Sequence, residues 1–195
     1  MEKEKLNLIV EINQKNYALA AGFFDENQNF KIVEKIVKYW KEPKKNIFDN
    51  FDELEKIIQG NLEIIENKLS HIFKEVILIL DGLTYYSINV SGFKKLNGSQ
   101  LLKENISYIL NSLKLNISDT EQKKTILHIF NSKSILDEKI SENLPIGLFG
   151  NFHIHELTFL LVENNELRNI KRTFGKSNLK VKKIFIKNFI EGVQL

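Results

Sequence analysis

The chain opens with three apolar runs separated by polar turns. From Leu6 to Ile12, Leu8, Val10 and Ile12 recur at period two with Ile9 on the other side, which predicts a strand. Asn13 to Asn16 is a turn. Tyr17 to Phe24 is apolar throughout and predicts a second strand buried on both faces. After a turn at Asp25 to Asn29, Phe30 to Tyr39 carries the pairs Ile32, Val33 and Ile36, Val37 and predicts a third strand. Short turns between such runs favour an antiparallel meander.

Trp40 to Asn46 is a polar connector containing Pro43. The period then lengthens. Phe51, Leu54, Ile57, Ile58, Leu62, Ile65 and Leu69 fall at three- and four-residue steps, which predicts a helix from about Asn50 to His71. Asn50 and Glu53 have the spacing of a capping pair. Val76 to Leu80, closed by Asp81-Gly82, predicts a buried strand. A mixed sheet with a helix on one face follows from this order.

From Thr84 the pattern restarts. Tyr85 to Val90 predicts a strand, Ser91 to Gly98 a loop, and Ser99 the cap of a helix carrying Leu102, Ile106, Ile109, Leu110 and Leu113. Thr125 to Phe130 predicts another strand. The segment Asn143 to Phe152 holds Pro145, Gly147 and Gly150, the signature of a sharp turn, and Phe152 to Val162 reads as the strand after it. A short helix from Asn164 or Asn165 carries Leu167, Ile170 and Phe174, with Gly175 placed as its terminating glycine. Leu179 to Ile186 predicts a last strand, and Phe189 to Leu195 the start of a helix. The predicted class is α+β, with a lobe at residues 1–83 completed by 179–195 and a second unit inserted at 84–178.

Composition narrows the chemistry. The 195 residues contain no cysteine, which removes disulfides, thiol nucleophiles and cysteine zinc sites, and fits a reducing compartment. The net charge of +3 is too small to imply nucleic acid by itself. No run approaches the ~18 apolar residues of a membrane span, and no signal peptide is visible. There is no P-loop, no G-x-G-x-x-G and no nucleophile motif, so no catalytic residue is assigned. Of the four histidines, His153 and His155 alternate along a strand and share a face. Without a third ligand they predict strand histidines facing solvent or a partner, and no metal is assigned. Between Glu166 and Glu191 lie eight basic residues and no acidic one: Arg168, Lys171, Arg172, Lys176, Lys180, Lys182, Lys183 and Lys187. They read as solvated faces of a helix and a strand, with attraction to an anionic surface as the alternative.

The order of elements, with the residues in them, resembles the N-terminal half of the bacterial cell-division protein family FtsA, which has an actin-like (ribonuclease H-like) fold. Thr125-Ile-Leu-His-Ile-Phe130 looks like a Val-Leu-His-Val-Ile-Pro strand in the subdomain of SHS2 type that this family inserts into its first actin subdomain. Leu144-Pro-Ile-Gly-Leu-Phe-Gly150 looks like the family's Asn-Pro-Val-Gly-Leu-Ser-Gly turn, and Leu179-Lys-Val-Lys-Lys-Ile184 like its Gly-Leu-Lys-Val-Asp return. The pilus-assembly family PilM shares the general plan and matches less well.

Two departures shape what the resemblance implies. The family's nucleotide turn, Asp-Ile-Gly-Thr-Ser-Lys, is here Glu11, Ile12, Asn13, Gln14, Lys15 and Asn16, without its glycine and hydroxyls. The second actin lobe, which supplies the other phosphate loop, the adenosine pocket, the FtsZ-tail site and a membrane-binding helix in relatives, is also not among these residues. The implied protein is a non-catalytic interaction module with no cofactor, ATP and magnesium entering only if a second lobe is supplied. Its expected partners are division proteins or a second copy, met through Ile146, Gly147, Leu148, Phe149, Gly150 and Phe152 of the inserted unit. Nucleic acid is not expected, and membrane contact would be peripheral or indirect. The expected location is the cytoplasm, at the inner face of the membrane at the division site. The alternatives are an ATP-binding actin-like subunit of FtsA or PilM type, or a basic membrane-surface adaptor.

Overall fold

The computed structural model describes residues 5–42, 48 and 50–193. They fall into two compact units, one within residues 5–83 and 165–193 and the other residues 84–164.

In the first unit, β1 (Asn7–Ile12), β2 (Asn16–Phe24) and β3 (Phe30–Tyr39) form the antiparallel meander that the period-two runs predict. Helix α1 (Phe51–Leu69) follows, and then β4 (Glu75–Leu80) pairs parallel to β1. After the second unit come α3 (Asn164–Lys176), β9 (Lys180–Ile186), parallel to β4, and α4 (Lys187–Val193). The strand order is β3-β2-β1-β4-β9.

Register places Leu8, Val10 and Ile12 on one face with Leu19, Ala21, Val76, Leu78 and Leu80, all buried. Tyr17 belongs to that face, and Asn61 Nδ2 of α1 donates to its hydroxyl at 3.3 Å, so α1 covers it. The buried stripe of α1 is Leu54, Ile58, Leu62 and Ile65. Asn50 Oδ1 caps the helix by accepting from Glu53 N–H at 3.1 Å. It stops at Ser70, in the left-handed region at φ 47°, one residue before His71. The connector at 40–46 lies largely outside the described residues.

The second unit is a four-stranded sheet, order β5-β8-β6-β7, from β5 (Tyr86–Lys95), β6 (Lys124–Leu136), β7 (Lys139–Ser141) and β8 (Phe152–Glu163). Helix α2 (Lys103–Thr120) packs on β5 and β6. Leu157, Phe159 and Leu161 of β8 and Ile117 of α2 form the core, flanked by Ile88, Val90, Leu110 and Leu113.

Several boundaries differ from those the sequence predicts. The segment Ser91 to Lys95 continues β5 and is not a loop. Gly92 is a packing glycine, since a Cβ there would lie 2.5 Å from Ile109 Cγ2 of α2. Ser99 does not cap α2. Leu102 is the first flanking residue, its N–H donating to Asn105 Oδ1 at 2.8 Å. Strand β6 runs six residues past Phe130, because bulges at Ile126/His128 and Asn131/Lys133 shift which positions face the core and break the period. Gly175 lies inside α3, and Asn178 supplies the left-handed residue at φ 57°. Finally, α3 belongs with the first unit, so the inserted unit ends near Asn164 and not at 178. Leu167, Ile170 and Phe174 are buried, and Lys176 pairs with Glu55 of α1.

The close approach at Gly92 gives a direct test. The variant Gly92→Val is expected to destabilise the second unit by about 1–3 kcal/mol through overpacking against Ile109. Urea unfolding followed by circular dichroism measures it, and an unchanged midpoint would contradict the packing described.

Candidate functional site

The residues in the place of a nucleotide turn close upon themselves. Asn13 is buried, and its Oδ1 accepts from Lys15 N–H at 2.9 Å and from Asn16 N–H at 2.8 Å. Its Nδ2 donates to Asn16 Oδ1 at 2.9 Å, and its carbonyl accepts from Trp40 Nε1 at 2.8 Å. A phosphate-binding hairpin offers free backbone N–H groups. Here two of them already serve a side chain of the turn itself. The nearby Glu11 carboxylate takes Lys187 Nζ at 2.8 Å, which raises the lysine pKa. Gln14 lies at 3.8 Å from the position a Cβ on Gly82 would take.

The turn of the second unit is built differently. It is laced to the 96–101 segment by backbone bonds: Gly147 N–H to Leu101 carbonyl at 2.8 Å, Leu101 N–H to Leu148 carbonyl at 2.8 Å, and Gly98 N–H to Gly150 carbonyl at 2.9 Å. Asp137, between β6 and β7, accepts on Oδ1 from Asn151 N–H and Phe152 N–H at 2.8 and 2.9 Å. Gly147 sits at φ 89°, and Gly150 packs so closely on Leu136 that a Cβ would lie 2.6 Å from its Cδ1.

With the backbone satisfied, the side chains turn outward. Phe149 is 72% exposed, Leu148 58% and Phe152 48%, and Ile146 is also exposed. Leu148, Phe149 and Phe152 border an open groove of about 1050 Å³ whose wall includes Leu136, Asp137, Lys95 and Lys139. Five of the six residues expected from the sequence therefore sit in one loop and Phe152 opens β8 beside it, four of the six presenting apolar surface and two shaping backbone. The sequence reading missed the groove's other wall, the β6–β7 hairpin. Its signal is Ile135-Leu-Asp-Glu-Lys-Ile140, two apolar-ended segments around a two-residue turn in which Asp137 takes φ 53°.

His153 and His155 do not face solvent. Both are buried, and they share the α2 side of the sheet with Leu157 because they share its parity along β8. His153 Nε2 meets Ser134 Oγ at 2.8 Å, and His155 Nε2 donates to Asn131 Oδ1 at 3.0 Å. Among the described residues neither Nδ1 has a partner. Burial first, and the neighbouring His155 second, hold His153 down to about 4; burial also lowers His155 and His128. Among the described residues no group of three metal-ligating side chains forms.

Arg168, Lys171 and Arg172 share the exposed side of α3, and Lys180, Lys182 and Lys183 are exposed on β9, an edge strand. Lys176 pairs with Glu55, and Lys182 approaches Glu75 at 3.6 Å. Lysines along a sheet edge oppose pairing with another strand. Among the described residues no helix is long and apolar enough to cross a membrane.

No protein-family model matches the chain, and no curated protein matches it by sequence. Solved structures do match. A PilM–PilN type IV pilus biogenesis complex superposes with a TM-score of 0.55 at 9% identity, over 97% of this chain and 49% of that one. The cytoplasmic domain of EpsL, an inner membrane component of the type II secretion system of Vibrio cholerae, gives 0.39 at 10% identity, over 93% of this chain and 56% of that one. A Bacteroides thetaiotaomicron protein with an actin-like ATPase fold gives 0.32 at 10% identity, over 97% and 56%. This chain has an actin-like fold and spans about half the length of the PilM–PilN chain it matches.

The buried histidines carry a pH dependence with a definite sign. His153 is depressed in the folded chain, so its contribution is intact above about pH 6.5 and is lost as pH falls toward 4, where only the unfolded chain gains the proton. Between pH 7 and pH 5 the loss is on the order of 2 kcal/mol for His153. Urea unfolding at pH 7 and pH 5 measures it, and His153→Gln is expected to flatten the difference.

Proposed function

We propose that this chain is a non-catalytic, actin-like interaction module, working at the division site as the resemblance to FtsA implies and binding other proteins through the apolar tip of its second unit. The observation that carries this reading is the contrast between the two turns. The turn in the nucleotide position spends its free amides on Asn13 and places Glu11 beside them, so a phosphate would have to displace an internal hydrogen-bond set and meet a carboxylate. The other turn holds Leu148, Phe149 and Phe152 in water on a backbone braced by Asp137 and the 96–101 segment. Exposed apolar side chains on a fixed backbone are the ordinary anatomy of a docking surface.

A second reading draws on the superposition at TM-score 0.55, whose partner is by its title a pilus biogenesis complex. In that reading the same tip serves a pilus-type assembly. Localisation of a fluorescent fusion separates them: enrichment at midcell favours the division role, and its absence there counts against it.

Two measurements test the docking reading itself. ATP with magnesium is expected to move the melting temperature by less than about 1 °C, because a ligand stabilises only as far as it binds the folded chain. A clear, magnesium-dependent rise would instead favour an ATP-binding subunit. The variant Leu148→Ser/Phe149→Ser is expected to keep its melting temperature, both side chains being exposed. It should also lose the partners that the unaltered chain captures from its own cell extract; equal capture by both would remove the tip from the proposal.

A further inference from the structure

A second surface, within the first unit, has a different chemistry. An open cleft of about 800 Å³ lies at the ends of β1 and β4 where those strands begin, beside the connector that leaves α1. Leu6, Val76 and Ile77 contribute apolar lining, and Lys5, Lys74 and Lys182 bring three ammonium groups to it. The carboxylate among its lining residues is Glu75, shared between Lys182 at 3.6 Å and Lys5 at 4.0 Å. Lys74 has no carboxylate partner among the described residues, and Lys180 adjoins it, donating its backbone N–H to the Lys74 carbonyl at 2.8 Å. The cleft is therefore an apolar hollow whose rim sets three ammonium groups against one carboxylate.

The connector is fixed in place. Ser70 turns the chain in the left-handed region, and Phe73 is buried with its N–H donating to Glu66 Oε1 at 2.8 Å. The His71 ring stands edge-on to Phe73 at 4.7 Å. These contacts leave Ile72 between them at 75% exposure. The α1 carbonyls that would repel an anion here are partly occupied: Ser70 and His71 N–H groups donate to Asn67 and Glu66 carbonyls at 3.4 and 3.1 Å.

We propose that this cleft docks an acidic amphipathic segment of a partner polypeptide, one whose apolar side chains enter the hollow against Ile72 and Ile77 while its carboxylates meet Lys74, Lys182 and Lys5. Charge complementarity selects an acidic partner, and the apolar lining selects one with large aliphatic side chains. The concavity favours a peptide over a bilayer, because a flat surface would touch Ile72 and the lysines without reaching the lining below. The rings among the cleft's lining residues are Phe73, buried, and His71, exposed and edge-on to Phe73, so a single imidazole is all that a nucleobase could stack on there. A preformed connector reduces the ordering that binding requires.

The test uses the full chain and a short fluorescein-labelled helical peptide of leucine and glutamate, read by fluorescence anisotropy. Saturable binding that weakens with added salt is expected, and the same peptide with lysine for glutamate, or serine for leucine, should not bind. Ile72→Ser and Lys74→Glu are each expected to weaken binding about tenfold. Both are exposed positions, and an unchanged melting temperature verifies that the fold is kept. Leu148→Ser/Phe149→Ser, at the other surface, should bind the peptide normally. The proposal is overturned by failure of the acidic leucine peptide to bind, by equal binding of its serine version, by binding that depends on Leu148 and Phe149 and not on Ile72, or by phosphatidylglycerol vesicles binding more tightly than the peptide in a Lys74-dependent way.

Discussion

The parallel pairing of β9 with β4 is the contact on which the first unit depends. The chain leaves this sheet after Leu80 and returns at Lys180, so one sheet contact closes a connection of roughly a hundred residues. Loop-closure entropy grows only slowly with length, and the inserted residues carry their own core of Leu157, Phe159, Leu161 and Ile117. The cost of the long excursion is thereby offset inside the excursion itself. Helix α3 then acts as the crossover that parallel strands require, bringing Leu167, Ile170 and Phe174 into burial before β9 begins. This is why α3 groups with the sheet it serves.

The first unit was legible in the sequence because one period served each element. Leu8, Val10 and Ile12 needed only alternation, and Leu54, Ile58, Leu62 and Ile65 only a helical stripe. The second unit was read less well for physical reasons. The bulges in β6 reset the alternation twice, so the strand predicted to end at Phe130 continues to Leu136. Gly92 looked like a breaker, when its missing Cβ makes room for Ile109. His153 and His155 were placed on a common face correctly, but periodicity could not say which face was buried; Ser134 and Asn131, the partners that make burial tolerable, come from the bulged strand.

Of the surfaces, the apolar tip was visible because a proline and two glycines in seven residues mark a constrained turn. Its opposite wall was missed, since the short Ile135–Ile140 pattern marks a turn but not the two backbone hydrogen bonds through which Asp137 acts. The cleft beside Ile72 left no linear trace at all. Lys5, Lys74 and Lys182 are far apart in the chain and meet only because β1, β4 and β9 start at the same end of one sheet. The basic run from Arg168 to Lys187 had left attraction to one anionic surface as the alternative to solvated faces. Its members divide instead between the outer side of α3, the edge of β9 and pairs with Glu55, Glu75 and Glu11.

The turn at Asn13 makes the sharpest physical argument about what an actin-like scaffold can be used for. A glycine hairpin leaves its amides unsatisfied until an anion arrives, a state that is costly to hold and therefore useful only if the anion comes. An asparagine in that place satisfies the amides permanently. Trp40 and Tyr17, with ring centroids 4.9 Å apart, then pack where the turn meets the meander, and Lys187 neutralises Glu11. Each of these contacts stabilises the turn without a ligand and raises the penalty for admitting one. With Asn13, Trp40 and Lys187 in place, the turn's hydrogen bonds and its carboxylate are matched from within the chain. A scaffold of that kind suits surfaces that must be present continuously, such as a braced apolar loop on one unit and a lysine-rimmed hollow on the other.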